Sequence, residues 1–374
     1  MWQSIRNFAS RHRKKLIFGG LVTGGAVYVW KVLLPRWQDA AVQSLLQSLQ
    51  ELAGEKEGGD ASGAQDEELE TLQKKAKFEH LQQVCDAHSP PRLAALRAQH
   101  YAQFAVEECT ENIKKAEGRE NKMTALRSLQ VEVLARETSL LTAMHAVLLL
   151  RRIMFNIAGR ALAGEDRPSG STEGGNLEET SLFAFFLDLS IQSTEAHSCL
   201  VAFTEAAKKV VESKCDELSL MPTTQVQAEM LTTFFLDVCT EMRNVLLSGS
   251  ACVDILLPEW LDLQDAPDPA KVTELLNEAK DYLESPQFTQ VQHALVQASV
   301  TSLVEALKDA NADIDCPLAK LMGKLMNSTK DEAAYVERLS SEALVQQLCE
   351  DIYFSTSSSE GVDRIEKNAA KEDA

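Results

Sequence analysis

From about Asn121 to Leu162 the chain runs some forty residues without a proline, and with no glycine until Gly159. Met123, Leu126, Leu129, Val133, Leu134, Leu140, Leu141, Met144, Val147, Leu148 and Phe155 recur along it at helical spacings. Such a stretch has few ways to fold. It is too long for a strand, and its apolar positions cover too much of the helix circumference for a surface helix, so it predicts a central helix buried on most sides. Its middle, Ala146-Val147-Leu148-Leu149-Leu150, has the composition of a membrane span. Arg151, Arg152 and His145 argue against one, because each charge inside a bilayer costs a few kcal/mol, roughly. The core helix of a bundle is the consistent reading.

The first 36 residues carry a different signal. Arg6, Arg11, His12, Arg13, Lys14 and Lys15 lead into a mostly apolar stretch, residues 16–34, and no acidic residue precedes Asp39. Nineteen residues at about 1.5 Å each span about 28 Å, close to the hydrocarbon thickness of a bilayer. Bulky and charged residues after Trp30 (Lys31, Arg36, Trp37) do not form a small-x-small cleavage site. The segment therefore reads as an uncleaved single transmembrane anchor, with Lys31 snorkelling and Tyr28, Trp30 and Trp37 in the interfacial belt. Gly20 and Gly24 stand at the G-x-x-x-G spacing that lets two anchors approach, a route to self-association.

Charge divides the chain. Residues 1–36 contribute +7, which leaves −26 for the remainder of a total of −19. An acidic domain with no basic run interleaved with aromatics excludes nucleic acid as a partner. The positive-inside rule puts residues 1–15 in the cytosol and the domain across the membrane. Eight dispersed cysteines in a helical chain read instead as reduced, buried thiols. Residue physics leaves the orientation open.

The predicted organisation is a basic targeting segment at 1–15, the anchor at 16–34, a linker helix and polar insert at 35–65, an all-α bundle at 66–354 and a disordered tail at 355–374. The bundle is expected to be elongated and built around the one long central helix. Helices are expected at 66–87, from Pro90-Pro91 to Lys115, at 121–162, 179–214, 222–248, 269–283, 286–310 and 331–354, with a shorter one at 317–326. Residues 163–178 read as a loop. Pro269 opens one of these helices, and Ser285 precedes Pro286 in the cap-plus-proline signature of a helix start.

No phosphate-binding glycine loop, nucleophile elbow or zinc motif occurs, and the seven histidines stand at no ligand spacing with another His or Cys. The reading is non-enzymatic, with no cofactor and no metal. A bundle without chemistry works through its surface, and amphipathic partner helices dock by inserting residues at i, i+3, i+4 and i+7. The candidate receiving stripe is Lys122, Met123, Leu126, Leu129 and Val133. A buried core stripe has the same periodicity.

Collinear strings along nearly the whole chain resemble the peroxin-3 family. They are Asn7-Phe8-x-x-Arg11-His12-Arg13-Lys14-Lys15-x-Ile17-Phe18-x-Gly20, then Phe78-Glu79-x-x-Gln82-x-x-Cys85, Asn121-Lys122, Arg136-x-Thr138, Arg152, Asn156-Ile157 and Gly159. Leu275-Leu276-Asn277-Glu278, Leu283-Glu284-Ser285-Pro286-x-Phe288 and Pro317-Leu318-Ala319-Lys320 complete the series. The resemblance implies a receptor in the peroxisomal membrane with its helical domain in the cytosol, opposite to the charge rule. Arg11, His12, Arg13, Lys14 and Lys15 would then target the anchor to peroxisomal membrane lipids. It also implies the partner, peroxin-19, a chaperone for peroxisomal membrane proteins whose N-terminal amphipathic helix the domain grips. The family's lysine, aromatic anchor and leucine fall on Lys122, Leu126 and Leu129, and Leu126 departs from the usual tryptophan. Two rivals follow from the residues: a type II secretory-pathway membrane enzyme, glycosylated at Asn327, and a membrane tether.

Overall fold

The computed structural model describes residues 63–164, 182, 185–187, 189, 197–248, 250–257, 263, 266–308, 314–327 and 332–355. The targeting segment, the anchor, nearly all of the linker, the loop at 165–178 and the tail beyond Ser355 lie outside the described residues. Two compact units divide at Gln73 and Lys74, and the bundle is the second of them.

The described residues are almost entirely helical. In chain order the helices are α1 (Gly63–Tyr101), α2 (Val106–Lys115), α3 (Arg119–Gly164), α4 (His197–Glu217), α5 (Ala228–Leu246), α6 (Ser250–Leu256), α7 (Pro269–Glu284), α8 (Pro286–Leu307), α9 (Leu318–Asn327), α10 (Glu332–Ser340) and α11 (Ala343–Phe354). The long helix α3 is the axis of the bundle. It packs against α2, α4, α5, α6, α7, α8, α9 and α11. It is apolar and long enough to cross a membrane, but its apolar window is wholly buried inside the protein.

The arginines that argue against a second span are engaged within the bundle, Arg151 by its own helix and Arg152 by neighbouring ones. Arg151 lies over the Phe155 ring at 5.9 Å. Arg152 pairs with Asp86 and donates to Gln82 Oε1 at 2.9 Å and Ser340 Oγ at 2.5 Å. Gln82 in turn donates to Asn156 Oδ1 at 2.7 Å, and Asn156 returns to the Arg152 carbonyl at 2.7 Å. A buried charge is tolerable when its donors are all engaged, and this network ties α1, α3 and α10 at one level.

Three boundaries differ from the sequence-based expectation. Pro90 and Pro91 lie inside α1 rather than opening a new helix. They remove the amides that would serve the Asp86 and Ala87 carbonyls, while the Ser89 hydroxyl caps the Cys85 carbonyl at 2.6 Å. The helix survives because one face stays buried across the proline pair: Phe78, Leu81, Cys85, Ser89, Leu93, Leu96 and His100. The chain breaks instead at 102–105, before α2. Pro222 does not start α5; a three-residue strand β1 (Gln225–Gln227) comes first. It pairs antiparallel with β2 (Asp315–Pro317), with Val226 opposite Cys316 and fully buried. The expected helix at 179–214 is described continuously only as α4, from His197. The last expected helix divides at Ser341 and Glu342 into α10 and α11.

Both proline-led helices are capped by a side chain. Asp268 accepts from the amides of Ala270 and Lys271 at 3.1 Å, and Ser285 Oγ accepts from Phe288 at 3.2 Å. Gly118, at φ +78°, turns α2 into α3 in the left-handed region that glycine adopts freely.

Candidate partner-binding site

Along α3, burial changes abruptly. Lys122 is exposed, and Met123 and Leu126 are half-buried. Leu129 is 6% exposed and Val133 0%. The stripe from Lys122 to Val133 is therefore not one surface. Leu129 and Val133 face the bundle's own core and cannot meet a partner directly, which corrects the expectation that all five residues line a receiving face. Periodicity is identical over both halves, but only the later turns are covered by the protein's own helices. Lys122, Met123 and Leu126 are left as the outer part.

A second group of residues, absent from the sequence-based expectation, adjoins this outer part. The turn after α4 carries Leu218 and Met221, 43% and 42% exposed. The helix ends with a reversal in which Ser219 N–H reaches the Asp216 carbonyl at 3.1 Å and Leu220 N–H reaches the Cys215 carbonyl at 2.7 Å. Ser219 has φ +48°, the left-handed conformation such a cap requires, and Leu220 packs inward at 1% exposure. Arg127 of α3 donates to the Leu220 carbonyl and to Asp216 Oδ1. Gln130 Nε2 donates to the same carbonyl at 2.8 Å. Met123, Arg127 and Gln130 share one helical face, so these bonds draw the turn against the face that carries Met123.

The flank nearer α2 is held by charge. Glu132 accepts from the Ala105 amide at 2.9 Å and from Lys208 Nζ at 2.9 Å, and Lys208 lies 5.1 Å over the Phe104 ring. One turn deeper, Glu137 is fully buried between Arg136 and Tyr101, with the Arg136 guanidinium 4.3 Å over the Tyr101 ring. Burial and the adjacent Glu137 carboxylate together raise the Tyr101 phenol well above its ordinary range. These groups fix the base of the surface and present no reactive centre.

All eight cysteines are free, and all but Cys316 are buried. Burial pushes Cys199, Cys239 and Cys252 up to about 12 and Cys349 to about 11, so these thiols are unreactive near neutral pH. Among the described residues no group of His, Cys, Asp and Glu could hold a metal ion. The basic residues Arg11, His12, Arg13, Lys14 and Lys15 lie outside the described residues.

Helical periodicity does not reveal the turn, because Leu218 and Met221 sit in a segment with no apolar repeat. Their spacing of three, outside a helix and beside a short polar run, carries no signal of exposure. No family model matches this chain, and no curated protein matches it.

Proposed function

We propose that this protein is a non-enzymatic receptor of the peroxisomal membrane, anchored through residues 16–34, with its bundle in the cytosol. Its task is to dock the N-terminal amphipathic helix of peroxin-19, so that newly made peroxisomal membrane proteins are delivered. The reading rests on the resemblance to the peroxin-3 family together with one structural observation. A helix buried from Leu129 onward emerges with Lys122 exposed and Met123 and Leu126 half-buried, and Arg127 and Gln130 on the same stretch bond the turn that carries exposed Leu218 and Met221. Clustered large apolar side chains on rigid elements, beside a cation, suit a partner helix with an apolar face and an acidic residue.

Leu126 and Met123 are half-buried already, so covering the remainder of each is worth about 1 kcal/mol. A leucine offers less contact area than the tryptophan usual at that position in the family, so this site relies more on its neighbours. Seven buried, free thiols support a reducing compartment for the bundle.

The test is capture of purified peroxin-19 by the full-length protein in detergent. Met123→Asp with Leu126→Asp should abolish capture while leaving the melting temperature unchanged. Leu129 is unsuitable for this purpose, because a carboxylate there would enter the core. Retained capture by the double variant overturns the site. Protease protection on intact organelles tests the orientation: a protected bundle, or a glycosidase-sensitive modification at Asn327, overturns the cytosolic placement.

A further inference from the structure

Resting on the docking reading, we propose that Arg127 and Gln130 are positioning residues that hold Leu218 and Met221 as a second wall of the same site. Large apolar side chains exposed on a frayed helix end are unremarkable. Here the backbone beneath them is fixed from three directions. Arg127 and Gln130 bind the Leu220 carbonyl, Leu220 is sunk in the core, and Met221 N–H donates to Thr224 Oγ1 at 2.9 Å while Thr224 N–H returns to the Met221 carbonyl at 2.9 Å. Leu220 is buried at 1% exposure while Leu218 and Met221 in the same turn are 43% and 42% exposed. The exposure of Leu218 and Met221 is thus built into the turn.

Two pairs spaced by three, Met123 with Leu126 and Leu218 with Met221, then flank the Arg127 contact, one on a helix and one on a turn. Exposed Lys122 borders the first pair, and Asp216 and Glu217, whose side chains are 73% and 61% exposed, border the second. Asp216 is paired with Arg127 and Glu217 with Lys214, so the occupant that matches this arrangement is an amphipathic helix with an acidic flank toward Lys122. Pre-fixing the turn removes the ordering entropy that a mobile wall would lose on binding. The two methionines supply polarisable contacts for an aromatic side chain.

The experiment is a double-mutant cycle on the full-length protein in detergent, titrated with the same purified partner protein. Leu218→Ser, Met221→Ser and Arg127→Ala should each weaken binding roughly ten-fold. Arg127→Ala combined with Met221→Ser should be no weaker than the worse single variant, because a released turn no longer presents Met221. Arg127→Ala combined with Leu126→Ala should be multiplicative. Arg127→Lys, which keeps a donor for the Leu220 carbonyl, should recover part of the loss. A role in stability alone would not produce that selective non-additivity. If Leu218→Ser and Met221→Ser bind like the unaltered protein while Met123→Asp with Leu126→Asp does not, the second wall is wrong and the docking reading stands. Full additivity of Arg127→Ala with Met221→Ser overturns the positioning role. If the unaltered protein captures no partner, both fall.

Discussion

Arg152 of α3 and Asp86 of α1 form an ion pair in which the arginine side chain is only 4% exposed and the aspartate 30%. The asymmetry decides what each substitution does. Removing the carboxylate strands a guanidinium in the core, whereas removing the arginine leaves an acid that water still reaches.

Asp86→Ala is expected to destabilise the bundle by about 3 kcal/mol, at the lower end for a broken buried pair, since Gln82 and Ser340 still accept from Arg152. Adding Arg152→Met should recover part of that loss. Thermal melting of the single and double variants checks both statements, and equal melting temperatures for Asp86→Ala and the unaltered protein would contradict them.

His145 predicts a pH dependence. It is buried, donates to or accepts from Ser299 Oγ at 2.9 Å, and stacks on Tyr335 with ring centroids 5.6 Å apart. Burial lowers its pKa from 6.5 to about 3. A folded-state pKa below the unfolded one means that the unfolded chain binds the proton first. Stability from this group is complete above pH 6.5 and is lost as the pH falls toward 3, by about 2 kcal/mol between pH 7 and 5. His145→Gln should flatten this part of the profile, read from denaturant midpoints at each pH.

At Gly159 of α3 the Leu81 side chain of α1 lies close against the backbone. A Cβ built there would lie 2.4 Å from Leu81 Cδ2 and 3.2 Å from Tyr353 Cε2. Leu81 is buried and has little room to swing away, so Gly159→Ala should cost about 1–3 kcal/mol despite alanine's better helix propensity. A melting temperature at or above that of the unaltered protein would show that Leu81 repacks without penalty.

Ser219 should respond in the opposite sense. Its φ of +48° suits glycine better than any residue with a Cβ. Ser219→Gly is expected to stabilise the α4 cap by about 0.5–1 kcal/mol, measured as a rise in melting temperature, and Ser219→Val to destabilise it by more than that.

Much of the fold was legible before any coordinates. The forty-residue run declares a buried central helix, its arginines exclude a second span, and Pro269 and the Ser285-Pro286 pair mark two helix starts to the residue. Caps and periodicities are local, and local geometry is what a sequence writes down. Pro90-Pro91 misled for the same reason: the local rule opposes a helix interior there, and it was overridden by seven buried side chains on one face of α1. The β1–β2 pairing joins segments about ninety residues apart in the chain, so no local pattern announces it.

The candidate site divides along the same line. That Lys122, Met123, Leu126, Leu129 and Val133 share a helical stripe follows from their spacing alone. Which of them meets solvent depends on where the neighbouring helices stop, and only the packing of the bundle fixes that: it covers Leu129 and Val133, leaves Met123 and Leu126 half open, and buries Leu220 while Leu218 and Met221 stay exposed. Periodicity states which face of a helix is apolar; what covers that face is a property of the whole assembled chain.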